Sequence, residues 1–160
     1  MTRTHILLLM GLVVAVPAAA GSSFFAASPR AQPCFSAGAA AYRFSDSAGA
    51  TYTIRIDNNA ARPDLRLQLV DDPASADFVL LDDNASPDAC RDGAVESIRV
   101  DPAAARADLT VALSKQASAE AHKIYVRSTN YTDADAAALF AVLWQNAHKA
   151  TLARQSTAQR

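Results

Sequence analysis

The residues of this chain that could do chemistry are paired acids and scattered histidines. Two acidic pairs, Asp71-Asp72 and Asp82-Asp83, each follow an apolar run. Clustered carboxylates bind Ca²⁺ or act as general acid and base. Aspartate also forms turns at strand ends, and the chain has no Asp-x-Asp-x-Asp-Gly calcium loop. We therefore expect both pairs to form turns rather than a catalytic or metal site.

The histidines, His5, His122 and His148, are far apart in the sequence, and their spacing predicts no metal site. No Gly-x-Ser-x-Gly nucleophile elbow and no phosphate-binding loop is formed by the five glycines. The sequence thus predicts no catalytic residue, no metal and no cofactor. A small hydrolase or metal-dependent enzyme built on the Asp clusters and His122 stays open as an alternative. A histidine within about 5 Å of two carboxylates in a pocket would favour it.

Residues 1–20 have the pattern of a secretory signal peptide. Arg3 precedes an apolar run over 6–16, and three alanines end the segment. As an alternative, residues 6–27 carry no charge and are long enough for an uncleaved membrane anchor. Both predict export to the periplasm, with the protein free there or tethered to the inner membrane. We interpret residues 21–33, which are rich in Ser and Ala, as a linker.

The only two cysteines, Cys34 and Cys90, are predicted to form a disulfide bond. An even cysteine count in an exported chain favours a bridge. The spacing fits neither a redox pair nor a metal site. Closing a loop of this length would contribute about 4 kcal/mol in the chain-entropy model.

Residues 34–154 are predicted to form a single α+β domain, followed by a frayed tail over 155–160. Alternation of apolar and polar residues predicts six to seven short strands. We expect a mainly antiparallel sheet, because the connections are too short for crossover helices. No internal repeat is apparent. The strands are expected around Tyr42 and Phe44, Tyr52 to Ile56, Leu65 to Leu69, Phe78 to Leu81, Ile98 to Val100, Leu109 to Leu113, and Ile124 to Val126.

The last element is predicted to be an amphipathic helix that covers one face of the sheet. Thr132 is a candidate N-cap, and Asp133 and Asp135 in the first turn favour the helix dipole. We expect the helix to end near Arg154. Its apolar face would consist of Ala136, Leu139, Phe140, Leu143, Trp144 and Ala147.

The outward positions of the predicted strands are basic. Acidic residues lie mostly in loops, so charge would be segregated although the net charge is −1. We interpret the basic positions as a face for an anionic partner, such as an acidic protein, lipid headgroups or an envelope polymer. Alternatively, the long side chains only cover an open sheet and block edge pairing. The positions are Arg55, Arg66, Arg99, Lys123 and Arg127. The turn residues over 46–49 predict a short hairpin between the first two strands, which would add Arg43 to this face.

The net charge and the lack of recognised binding motifs argue against one class of function, nucleic-acid binding. With a net charge of −1 and no nucleic-acid-binding motif, no nucleic-acid partner is expected. The segment Leu69–Leu80, Leu-Val-Asp-Asp-Pro-Ala-Ser-Ala-Asp-Phe-Val-Leu, resembles stretches of small bacterial envelope proteins and identifies no family. The interpretation is a non-catalytic binding or accessory module of the bacterial envelope. A further alternative is a structural subunit of a membrane complex, anchored through residues 6–27.

Overall fold

The computed structural model describes residues 34–37, 40–81 and 94–158. The signal peptide or anchor, the linker, Cys90 and the pair Asp82-Asp83 lie outside these residues, so the predictions that rest on them stay predictions. Cys34 is buried, with 3% of its surface exposed. Within the described part of the chain, no helix combines the length and the apolar character needed to cross a membrane.

The described residues form eight β-strands and one long α-helix, which confirms the α+β class. The helix, α1, spans Asp133–Ala158, and a short 3-10 helix spans Pro73–Ser75. The strands are β1 (Phe35–Ala37), β2 (Ala40–Phe44), β3 (Tyr52–Ile56), β4 (Leu65–Leu69), β5 (Phe78–Leu81), β6 (Val95–Val100), β7 (Leu109–Ser114) and β8 (His122–Arg127).

The eight strands form one sheet in the order β1-β2-β6-β3-β7-β4-β8-β5. β1 and β2 are antiparallel, and the six other pairs of neighbours are parallel. The prediction of a mainly antiparallel sheet of six to seven strands is therefore wrong. The predicted hairpin between β2 and β3 is wrong as well, because β6 lies between these two strands.

A stagger between strands explains how short connections join parallel strands. The last residue of β2, Phe44, lies opposite Ile98. The first residue of β3, Tyr52, lies opposite the same Ile98 from the other side. Residues 45–51 therefore step sideways over one strand and do not return along its whole length. The usual requirement for a crossover of a dozen or more residues applies to strands that start at the same level.

Five residues share the position that Ile98 occupies, and we call them the central row. Each is flanked on one side by the last residues of one strand and on the other by the first residue of the next strand along the chain. They are at most 1% exposed and belong to the same core as the first turns of α1. In sheet order, the central row consists of Ile98, Ile54, Val111, Leu67 and Ile124.

The central row follows an internal repeat of 13 residues, so the expectation of no repeat is wrong. The repeat is hard to see in the sequence. Only the alternation of apolar and polar residues in the strands and an aspartate before some of them recur, while the loop sequences differ. Two runs share the spacing: Ile54, Leu67 and the buried Leu80 in the first, and Ile98, Val111 and Ile124 in the second.

An aspartate three residues before several of these repeat positions ties neighbouring strands together. Its carboxylate accepts a hydrogen bond from a backbone N–H of the next strand, at 2.7–2.8 Å. Thr51 holds the equivalent position before β3, and its hydroxyl accepts from the Ser97 N–H at 3.1 Å. The aspartates and the residues whose N–H they accept from are Asp64 with Thr110, Asp77 with Lys123, and Asp108 with Thr53.

The start of α1 is capped as predicted. Thr132 Oγ1 accepts a hydrogen bond from the Asp135 N–H at 3.1 Å, and Asp135 Oδ2 accepts one from the Thr132 N–H at 2.8 Å. This reciprocal pair is a capping box with Asp in place of Glu. The helix continues to Ala158, four residues past the predicted end at Arg154.

The sheet curls around the first half of α1. Tyr42 on β2 accepts a hydrogen bond from Asn146 at 3.1 Å, while Phe78 on β5 packs on Phe140 with ring centroids 5.4 Å apart. β2 and β5 lie near opposite edges of the sheet, so both ends of the sheet reach the helix.

The buried residues of α1 do not form the single apolar stripe that the sequence pattern predicts. Ala136 to Leu139, Ala141 and Val142 are buried, which leaves no polar side on this part of the helix. Residues 147–155 are all exposed, including Ala147, which the pattern placed on the buried face. The difference follows from the curl of the sheet, which surrounds the first half of the helix and ends before the second.

Candidate anion-binding face

Three aspartates that follow strands or begin the 3-10 helix are used in turns. Asp72 caps the 3-10 helix by accepting a hydrogen bond at 2.9 Å from the N–H two residues further on. Asp57 and Asp101 accept in the same way after β3 and β6, at 3.0 and 2.9 Å. These are the turns that aspartate commonly forms. The turn interpretation is confirmed for Asp72.

His122 contacts one described carboxylate. Its Nδ1 lies 3.9 Å from Oδ2 of Asp77, and its ring lies 5.5 Å from that of Phe140. His148 stacks on Trp144 with ring centroids 4.3 Å apart. Among the residues that the structure describes, no three His, Cys, Asp or Glu side chains gather as a metal site. The hydrolase alternative needs two carboxylates near a histidine, and the described residues place one there.

The face of the sheet turned away from α1, which we call the outer face, carries the basic residues. The only acid in any described strand is Glu96, which lies opposite Tyr42 on the inner face. All six positions predicted from the alternation therefore share one face without a strand acid beside them. They are Arg43 on β2, Arg99 on β6, Arg55 on β3, Arg66 on β4, and Lys123 and Arg127 on β8.

Two of the six are held by neighbouring groups and are half-buried. Arg55 donates to the Ala104 carbonyl at 3.3 Å and to Thr110 Oγ1 at 3.0 Å. Arg99 forms an ion pair with Asp101 at 3.1 Å. The Nε atoms of both arginines are buried without a hydrogen-bond partner. Their role is therefore at least partly structural, since they bind to the sheet and to the loop after β6.

The other four basic residues are exposed: Arg43, Arg66, Lys123 and Arg127. None of them forms an ion pair with another described residue. Lys123 lies opposite Gln68, two residues along β4 from Arg66, so these two cations are diagonal neighbours. Arg43 and Arg127 lie five strands apart, which at about 4.8 Å per strand is about 24 Å along the sheet. Cations without a described ion-pair partner thus lie near both ends of the outer face and on β4 between them.

An open cleft of about 470 Å³ lies beside Arg66. Its walls come from β4, β7, the loop after β3 and the loop between β7 and β8. A volume of this size is in the range of small-molecule sites. The described residues that line it include no acid, and they are Asn58, Arg66, Leu67, Ala112, Leu113, Ser114, Gln116, Ala117, Ser118 and Ala121.

The alternation of apolar and polar residues does not predict a polar cluster that lies inside the curl of the sheet. Asn146 on α1 donates to the hydroxyls of Tyr42 and Tyr52 at 3.1 and 3.2 Å. Glu96 lies next to them with one buried oxygen that lacks a described partner. Burial raises the pKa of Tyr52, the hydrogen bond from Asn146 lowers it, and Glu96 raises it through hydrogen bonding and charge. The net effect holds the Tyr52 hydroxyl in its neutral form.

Comparison with known proteins adds no assignment to this geometry, since no protein-family model, no curated protein and no solved structure matches the chain.

Proposed function

We propose that this protein is a non-catalytic binding module of the bacterial envelope, and that its outer face binds an anionic polysaccharide. The observation that carries the proposal is the set of four exposed cations on a face where no described strand carries an acid. Uncompensated charge of one sign attracts a partner of the opposite sign. The segregation is local, because the net charge of the whole chain is −1.

The chemistry of the outer face favours a polysaccharide over a lipid surface. Among the described residues, the large hydrophobic side chains that are exposed are Val79 at 36% and Leu152 at 64%, and Leu152 lies on the helix. Helices that bind membrane interfaces also insert apolar side chains, which this face provides at one position only. A hydrated chain of regularly spaced carboxylates or phosphates matches cations that are spread over about 24 Å.

Two competing explanations stay open. In the first, the basic side chains serve only to cover the sheet and block edge pairing, which needs no partner. In the second, the protein is a hydrolase that uses His122 and the Asp clusters, and the described carboxylate near His122 is that of Asp77, at 3.9 Å. A hydrolase of polysaccharides would release reducing ends from the polymer. His122→Ala would abolish that release without reducing affinity for the polymer.

The binding proposal is tested with matched charge reversals. Arg43→Glu/Arg127→Glu changes the outer face, and Lys149→Glu/Arg154→Glu makes the same charge change on the exposed half of α1. Arg55 is avoided because its hydrogen bonds support the fold. At about 50 mM salt, we expect the outer-face variant to bind polygalacturonate about tenfold or more weakly than wild type. The helix variant should bind as wild type does.

Equal binding by both variants would refute the proposal, and so would equal binding of wild type to neutral dextran. Circular dichroism should show that both variants remain folded. A column with an immobilised acidic protein tests the alternative of an acidic protein partner. Stronger retention on this column than on polygalacturonate would assign the outer face to a protein partner.

Export is part of the proposal and has its own test. We propose that the protein is periplasmic or anchored to the inner membrane and facing the periplasm, which the pattern of residues 1–20 supports. Mass spectrometry of the native N-terminus should find Gly21 after cleavage, or an intact leader in the membrane fraction. Recovery of the native protein from the cytosol with Met1 attached would contradict export.

A further inference from the structure

The cleft beside Arg66 has an uneven balance of hydrogen-bond donors and acceptors. Asn58 Oδ1 accepts a hydrogen bond from the Leu113 N–H at 2.9 Å, which leaves its Nδ2 amide as a donor. Ser114 Oγ accepts from the Gln116 N–H at 3.0 Å, which leaves the hydroxyl hydrogen to donate. The backbone has thus engaged the acceptor atoms of two lining side chains.

Arg66 adds charge to these donors. Its guanidinium has five N–H donors and no acceptor, and it forms no ion pair with a described residue. None of the described residues that line the cleft carries a carboxylate that would neutralise it. Arginine, a side-chain amide and a hydroxyl therefore line one cleft with their donors unengaged, and such a set recognises an oxyanion.

We propose that this cleft binds one acidic sugar unit, with its carboxylate or phosphate on Arg66 and Asn58. The inference deepens the proposed function, on which it rests, by assigning the unit of the polysaccharide that is recognised. Arg66 pairs with two oxygens of the anion, as guanidinium does with carboxylate and phosphate. Ser114, Gln116 and Ser118 are placed to bind the sugar hydroxyls. A cleft of about 470 Å³ holds such a unit while the rest of the polymer runs over the outer face.

The test uses single sugars and the whole exported protein purified from its own cells. Galacturonate and glucose 6-phosphate are titrated by calorimetry, with glucose as the neutral control, at about 150 mM salt, where weak surface attraction is screened. We expect saturable binding of galacturonate, glucose 6-phosphate or both, and none of glucose. The sugar that binds identifies the anion as carboxylate or phosphate. Binding of neither acidic sugar would overturn the proposal.

Asn58→Asp is the sharpest variant. The new carboxylate still accepts from the Leu113 N–H, so the loop stays in place, but the amide donor is replaced by negative charge. We expect at least a tenfold loss of affinity with an unchanged melting temperature. Arg66→Gln should show a similar loss, and Lys149→Gln, on the exposed half of α1, should not change binding of the single sugar. An unchanged affinity in Asn58→Asp would also overturn the proposal.

The two proposals fail in different ways. If the single sugars do not bind but Arg43→Glu/Arg127→Glu still loses the polymer, the cleft is not a subsite and the outer face remains a binding surface. If a single acidic sugar binds but the polymer does not, the cleft is a small-molecule site and the polysaccharide function is wrong.

Discussion

The staggered parallel sheet makes a geometric prediction at Gln68 on β4. This residue lies opposite Ser114 on β7 and, on its other side, opposite Lys123 on β8. The three side chains lie outside the core, so replacing them by cysteine should not disturb packing. Neighbouring strands place paired Cα atoms at distances that a disulfide bond spans. Both Gln68→Cys/Ser114→Cys and Gln68→Cys/Lys123→Cys are therefore expected to form cross-links on mild oxidation.

The expected gain in stability follows from the loops that the two cross-links close. Gln68 and Ser114 are 46 residues apart, and Gln68 and Lys123 are 55 apart. For loops of these lengths the chain-entropy model gives about 4 kcal/mol each, reduced by any strain in the bridge. Urea unfolding of oxidised and reduced samples measures the gain, and a constant slope shows that the folded state has not changed.

A mismatched pair provides the control. Gln68→Cys/Arg127→Cys uses the same two strands as the second matched pair, but the exposed Arg127 lies four residues from Lys123, which is about 13 Å along β8. We expect no cross-link in this variant. Peptide mass mapping must identify each bridge, because the chain contains Cys34 and Cys90. Failure of both matched pairs, or equal yields in the matched and mismatched pairs, would refute the parallel register.

Three further predictions concern the core, the polar cluster and the helix cap. Leu67→Ala should lower the free energy of unfolding by about 3–4 kcal/mol, since it removes three buried carbon groups and leaves a cavity. Leu152→Ala, at a position that is 64% exposed, should change it by less than about 0.5 kcal/mol. Equal losses in urea unfolding would contradict the burial of the central row. The raised pKa of Tyr52 implies stability that is fully present below pH 10.0 and declines above it, because the unfolded state then releases a proton that the folded state keeps. Tyr52→Phe should flatten this decline, and an identical pH profile of melting temperature in both proteins would be evidence against it. Thr132→Ala should cost about 1 kcal/mol by removing the N-cap, and thermal unfolding unchanged from wild type would show that the capping box is dispensable.

The positions of the strands and of the helix could be predicted from the sequence because both depend on local patterns. Alternation around Ile54 and Leu67 locates β3 and β4, and Thr132 locates the start of α1. The orientation of the strands could not be predicted in this way. Connection length indicates antiparallel pairing only when strands are level, and the stagger that makes short parallel connections possible is a property of the whole sheet.

The candidate site likewise has features that the local sequence pattern predicts and features that it does not. The basic outer face follows from alternation alone, because period two places Arg55 and Lys123 on the side opposite the core. Which cations are free does not follow, since the partners of Arg55 come from β7 and from the loop after β6. The cleft and the Tyr42–Tyr52–Asn146 cluster join segments that are distant in sequence. Predicting them requires the order of the strands.

Binding to the outer face is the central claim, and the salt dependence of polymer affinity tests it most directly. Wild type, Arg43→Gln/Arg127→Gln and Lys149→Gln/Arg154→Gln are each titrated with polygalacturonate between about 50 and about 200 mM salt. We expect affinity to fall steeply with salt for wild type and the helix variant, and the outer-face variant to bind more weakly with a shallower salt dependence. Parallel salt dependences of equal strength in all three proteins would contradict it.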